Sequence, residues 1–133
     1  MESLGGHQIN ASQAVAPNAD GTMDVLFCND AGGVGRVSRD GDIVWRASEA
    51  PGLFNCTPVV ADVNYDGQDE VLFCDMSGGI HIYTLTGDKI GTLYEHGGIE
   101  GIPFVFDVDG DSNVELVVPS VDGWISCYRL TVD

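Results

Sequence analysis

Basic residues are scarce in this chain: five Lys plus Arg stand against 21 Asp plus Glu, giving a formal net charge of −16 over 133 residues. Phosphate backbones are held by clustered cations, so nucleic acid is a poor partner. Long apolar runs are missing too. No stretch of eighteen apolar residues occurs, and no membrane insertion is expected. Residues 1–15 lack the basic start and apolar core of a secretion signal, which a mature domain would have lost in any case. The four cysteines, Cys28, Cys56, Cys74 and Cys127, show neither CxxC nor Cys/His spacing for zinc. Cys28 and Cys74, at the same repeat position, read most simply as small buried apolar residues; a disulfide scaffold is the lesser alternative, and the cysteines fix no compartment. Sustained i, i+3, i+4 periodicity is absent, so essentially no helix is expected.

Catalytic signatures are equally absent. There is no GxSxG, HExxH or Gly-rich phosphate loop, and His7, His81 and His96 occupy unrelated positions. His81, inside an apolar run, reads as a packing or surface residue. The chain is therefore expected not to be an enzyme.

What is present is a repeated phrase rich in acids. Residues 62–71 read DVNYDGQDEV, 107–116 read DVDGDSNVEL, and 16–25 read APNADGTMDV. In the first two, oxygen-bearing side chains fall at positions 1, 3, 5 and 9: Asp62, Asn64, Asp66 and Glu70, then Asp107, Asp109, Asp111 and Glu115. Alternate placement along a tight loop turns them toward one point, and calcium takes six to eight such oxygens. Acids scattered over the surface serve solubility; acids at equivalent repeat positions argue for metal.

The repetition extends beyond the loops. Repeat one covers about residues 5–50, repeat two 51–96 and repeat three 97–133, offset by 46 and then 45 residues. CTPVVADV (56–63) matches GIPFVFDV (101–108), and residues 78–85 match 123–130 through Ile80 with Ile125 and Tyr83 with Tyr128. Repeat two resolves into short apolar runs at 58–63, 70–76, 79–85 and 89–95, separated by Gly- and Asp-rich turns suited to hairpins. Four antiparallel strands in about 45 residues describe a β-propeller blade. The expected fold is all-β: three propeller blades forming one repeat domain over residues 1–133, the last lacking its outer strand. Three blades leave two faces open. The piece is closed either by the remainder of a longer propeller or by a second copy, a homodimer making a six-bladed ring.

The motif D-x-[DN]-x-D-G-x-x-[DE] before an apolar strand resembles the FG-GAP or VCBS-type repeats of integrin α-like propellers, and DVNYDGQDEVLF matches it at every defined position. The resemblance covers almost the whole chain. It implies one calcium in the loop joining the first two strands of a blade, held by Asp62, Asn64, Asp66 and Glu70 with the carbonyl of Gln68, and Gly67 for the sharp turn. In repeat three it implies Asp107, Asp109, Asp111, Glu115 and the carbonyl of Asn113, with Ser112 where glycine belongs. Repeat one departs further: Ala16 replaces the first Asp, leaving Asn18, Asp20, Asp24 and the carbonyl of Thr22, a weaker site or a plain turn.

The function expected is a non-enzymatic interaction module with structural calcium, contacting protein or glycan in an extracellular or periplasmic setting. Alternatives are an auxiliary propeller portion of a carbohydrate-active enzyme such as a polysaccharide lyase, or a self-assembling scaffold. Trp45, Trp124, Tyr65, Tyr83, Tyr94 and Tyr128 offer a stacking platform for sugars, but Trp124 and the strand tyrosines more simply fill space between blades.

Overall fold

A computed structural model describes residues 8–49 and 53–130. His7 and the repeat boundary drawn at residues 50 and 51 lie outside them. Among the described residues eleven strands form three antiparallel sheets. The first holds β1 (Ala14–Pro17), β2 (Met23–Cys28), β3 (Gly33–Val37) and β4 (Ile43–Ser48) in that order. The second holds β5 (Val59–Ala61), β6 (Glu70–Cys74), β7 (Gly79–Thr84) and β8 (Lys89–Tyr94). The third holds β9 (Phe104–Phe106), β10 (Glu115–Pro119) and β11 (Ile125–Arg129). Among the described residues no helix occurs, and the third blade has no outer strand.

Hairpin chemistry sets these sheets. At the β2–β3 turn Asn29 Oδ1 accepts from the N–H groups of Ala31 and Gly33 at 3.0 and 2.8 Å. At the equivalent β6–β7 turn Asp75 Oδ1 accepts from Ser77 and Gly79 at 2.8 and 3.0 Å. Such side-chain bonds imitate a backbone turn and fix the register behind it. A register shift recurs at the same repeat position, between Arg36 and Val37 and between Ile82 and Tyr83. Strand β5 is shorter than the run at 58–63, because Asp62 and Val63 already belong to the acidic loop.

Every blade has two faces, and two apolar cores lie between neighbouring blades. One face of blade one (Leu26, Cys28, Val34) meets the opposite face of blade two (Val71, Phe73, Tyr83), with Phe54 buried at the joint. The other face of blade two (Leu72, Cys74, Ile80, Ile82) meets Leu116 and Val118 of blade three, with Ile99 in the equivalent joint. This is why the inner strands read as continuously apolar: β6 is buried along its whole length. All four cysteines are free thiols. Burial pushes the Cys28 thiol up to about 11 and that of Cys56 up to about 12.

Candidate metal loops

The three acidic loops occupy the same place, between the first and second strands of their blades, yet differ in what fills their centres. In loop 62–70, Asp62 accepts from the backbone N–H of Asp66 (3.1 Å) and of Gly67 (2.9 Å), and Asp66 accepts from Gln68 (2.9 Å). Asn64 Oδ1 also accepts from the Asp66 N–H at 3.0 Å. Glu70 is buried, and its Oε2 accepts from the Val63 N–H at 3.1 Å. Carboxylates thus converge from both ends of the loop. Among the described residues no Lys or Arg ion pair reaches them; of the side chains, the Asn64 amide donates inward, to Asp66 at 3.0 Å and Glu70 at 3.3 Å. Burial, aided by the charges of Asp66 and Asp62, pushes the Glu70 carboxyl above its ordinary value.

Loop 107–115 repeats the frame with a different centre. Asp107 accepts from the N–H groups of Gly110 and Ser112 (2.6 and 2.9 Å), Asp109 from Asp111 (3.1 Å), Asp111 from Asn113 (2.9 Å), and Glu115 from Val108 (3.0 Å). Asp107, Asp109 and Glu115 each offer an oxygen within 4.8 Å of the others. Into this cluster Arg129 Nη2 inserts, 2.8 Å from Asp109, 2.9 Å from Asp111 and 3.1 Å from Glu115. Arg129 pairs with Glu115 across the β10–β11 ladder, as Thr84 pairs with Glu70 in blade two.

Ser112 does not break the turn. Both loops carry two left-handed residues, at positions four and six: Tyr65 (φ 63°) and Gly67 (φ 87°), then Gly110 (φ 81°) and Ser112 (φ 73°). Each loop has one glycine for two such positions, and the glycine has changed places. The Tyr65 hydroxyl donates to the Val114 carbonyl at 2.7 Å, joining the second loop to the third.

Loop 16–24 is built otherwise. A hairpin bond from the Asn18 N–H to the Thr22 carbonyl (2.8 Å) closes it, and Asp20 is satisfied by the N–H and hydroxyl of Thr22 at 2.9 and 2.6 Å. Arg36 fills the centre: Nε lies 2.8 Å from Asp24, Nη2 2.6 Å from Asn18, and Nη1 2.9 Å from the Leu85 carbonyl of blade two. The Asn18 amide, against the opposing cost of burial, and then Arg36 hold the Asp24 carboxyl below its ordinary range. Ala16, where the first Asp would stand, is fully buried against blade two. An arginine thus enters two of the three loops, Arg36 the first and Arg129 the third.

A second polar cluster, between blades one and two, escaped the sequence reading. His81 is buried, with Nε2 2.8 Å from Asp75 and Nδ1 3.3 Å from Glu49. Glu49 also pairs with Lys89 at 2.8 Å and accepts from the Tyr83 hydroxyl. The tie recurs one blade later, where Tyr128 donates to Glu95 at 2.6 Å. The offsets of Glu49 to Glu95, 46 residues, and of Tyr83 to Tyr128, 45 residues, are those of the repeats themselves and were the available signal. Of the aromatic residues, Trp45 stacks on Tyr83 at 5.5 Å, inside the first joint. Trp124 and Tyr94 instead stand exposed, contrary to their expected role as filler between blades.

No family model matches the sequence, and no curated protein does. Solved structures do. The crystal structure of BamB from Moraxella catarrhalis matches at 17% identity and a TM-score of 0.62, over 87% of this chain and 31% of that one. BBS1N in complex with ARL6DN matches at 20% identity and 0.68, over 90% of this chain and 37% of that one. The fold is a β-propeller. This chain spans about a third of the length of the solved chains it matches.

Proposed function

We propose that the chain is a non-enzymatic, calcium-stiffened portion of a β-propeller that presents its loops to a protein or glycan partner. The observation that carries this reading is the centre of loop 62–70, where carboxylates of Asp62, Asp66 and Glu70 gather with an amide and no cationic side chain. That donor set suits a hard cation. Calcium would be held by Asp62, Asn64, Asp66, Glu70 and the carbonyl of Gln68, as the resemblance to FG-GAP and VCBS-type repeats implies. It would supply charge neutralisation and no chemistry. Loop 107–115 is the second candidate: among the described residues its Asp107, Asp109 and Glu115 are the acids whose oxygens lie within 4.8 Å of one another, a closeness the acids of loop 62–70 do not reach, and Arg129 is a built-in competitor. Sites of this kind on extracellular modules have Kd on the order of 10⁻⁴ to 10⁻³ M, which favours an extracellular or periplasmic setting. The complex in which BBS1N was solved supports a protein partner more than a glycan. Its two open ends are closed by further blades, from a second copy or a longer propeller.

Thermal melting with and without calcium tests the reading. Binding only to the folded form stabilises it by about 2.7 kcal/mol at a hundredfold excess over Kd. Asp66→Ala should remove most of that increment. A melting temperature indifferent to both chelator and substitution would overturn it.

A further inference from the structure

At its fourth position loop 62–70 carries Tyr65, where the equivalent residues of loops 16–24 and 107–115 are Ala19 and Gly110. Tyr65 stands between Asn64 and Asp66, whose side chains meet at the loop centre. Its backbone is left-handed (φ 63°), a conformation that a bulky side chain rarely adopts. Strain of this kind persists only where the surroundings hold it, and it gathers at ligand clamps and switch segments.

What holds Tyr65 lies in the next blade. Its hydroxyl donates to the Val114 carbonyl at 2.7 Å, across 49 residues of sequence. Val114 is flanked by two members of the third loop's frame. The Asn113 N–H donates to Asp111 at 2.9 Å, and Glu115 accepts from the Val108 N–H at 3.0 Å. Strands β5 and β9, which lead into the two loops, approach one another and bring the loops side by side. Burial and then the charge of Glu115 push the Tyr65 hydroxyl above its ordinary value, as befits a phenol close to the third loop's acids.

We propose that Tyr65 couples the two loops, so that calcium in loop 62–70 raises the calcium affinity of loop 107–115, and the reverse. This rests on the calcium reading above and adds how its two loops fill together. When Asn64 and Asp66 close on an ion, the peptide units on both sides of Tyr65 are fixed, and its ring with them. The hydroxyl then holds the Val114 carbonyl, which orients the peptide unit leading into Glu115. The second loop to fill is thus partly ordered by the first, and its own ordering cost is smaller. Linkage makes the effect mutual: each ion raises the other's affinity by the same factor. Repulsion between the ions acts in the opposite sense, and physiological salt screens it beyond about 8 Å. Loop 16–24 stands outside the pair. Ala19 has no group to reach across with, and Arg36 already fills that loop's centre.

Isothermal titration of calcium into the full chain reads the coupling. Asp66→Ala disables loop 62–70 and Asp111→Ala disables loop 107–115, each leaving the other loop to bind alone. The product of the two wild-type association constants should exceed the product of these two single-loop constants by about fivefold, the lower end of ordinary coupling between sites. Tyr65→Phe keeps the ring and removes the hydroxyl, and in that background the ratio should fall to about one. All three positions are exposed, so an unchanged circular-dichroism spectrum is expected of every variant. A hydroxyl with a merely structural role would lower the melting temperature of Tyr65→Phe in chelator and leave the ratio unmoved. A wild-type ratio of one, a ratio indifferent to Tyr65→Phe, or uptake of a single ion overturns the coupling and leaves the calcium reading standing. Uptake of no calcium at all overturns both.

Discussion

Loops 16–24 and 62–70 descend from one repeat position and end in opposite electrostatic states. In the first, Arg36 donates to Asp24 and Asn18 and reaches across to the Leu85 carbonyl, so the loop carries its own cation and uses it to join two blades. In the second the equivalent acids face one another with only the Asn64 amide between them. Asp24 is pulled below its ordinary carboxyl range while Glu70 is pushed above it. The difference teaches that an acidic loop is defined as much by the basic side chain it lacks as by its acids. Loop 107–115 stands between the two, with a full set of oxygens and an exchangeable guanidinium.

The largest effect should come from opening the first loop. Arg36→Leu strands Asp24, both side chains being about nine-tenths buried, and should cost about 3–5 kcal/mol by urea denaturation. Replacing Asp24 by Leu as well should recover most of that loss. An Arg36→Leu cost below about 1 kcal/mol would mean the arginine is a bystander.

Next comes an exchange between the second and third loops. Thr84→Arg sets a guanidinium opposite Glu70 as Arg129 stands opposite Glu115, and should abolish the calcium increment of about 2.7 kcal/mol expected at hundredfold excess. Arg129→Thr should do the reverse in blade three, tightening calcium there by about tenfold, or roughly 1.4 kcal/mol. Isothermal titration of both variants reads the exchange directly. Equal affinities before and after would erase the contrast.

The pH dependence should divide the loops by sign. The depressed carboxyl of Asp24 contributes stability that is present above its unfolded value and lost as pH falls through its lower folded value. The raised carboxyl of Glu70 works oppositely: its cost grows as pH rises from the ordinary glutamate value through the higher folded one. In chelator, Glu70→Gln should flatten the second part of the melting profile and leave the first. Calcium should cancel the same cost in the wild type.

The smallest effect is local. Ser112→Gly relieves a left-handed serine, a strain of about 1–2 kcal/mol, against about 0.5–1 kcal/mol of glycine chain entropy. A net gain of about 0.5 kcal/mol should appear in chelator. The same exchange at Tyr65 should gain nothing, because it sacrifices the hydroxyl bond to Val114.

Much of this was legible beforehand, for identifiable reasons. A period of 46 and 45 residues, with Gly- and Asp-rich turns at fixed places, prescribes strands and hairpins; the run at 89–95 became β8 almost unaltered. The ligand positions at 62–70 and 107–115 could be read because each lies at a fixed distance from an aligned strand. The centres of the loops could not. Arg36 and Arg129 sit 12 and 14 residues beyond the acids they meet, at two different repeat positions, and nothing in their own segments points back. The Glu49–Tyr83 tie was harder to read, since its partners lie in different blades, whereas His81 reads as a packing or surface residue and is buried.

The sequence by itself determined the blade: its strands, its turns and the alternation that gives it two apolar faces, all consequences of short-range periodicity. It also determined which side chains bear oxygen. Only the tertiary structure decided which acids keep a cation of their own and which position in a loop takes the left-handed turn without glycine. Those outcomes depend on contacts across strands and between blades, where distance along the chain carries no information about distance in space.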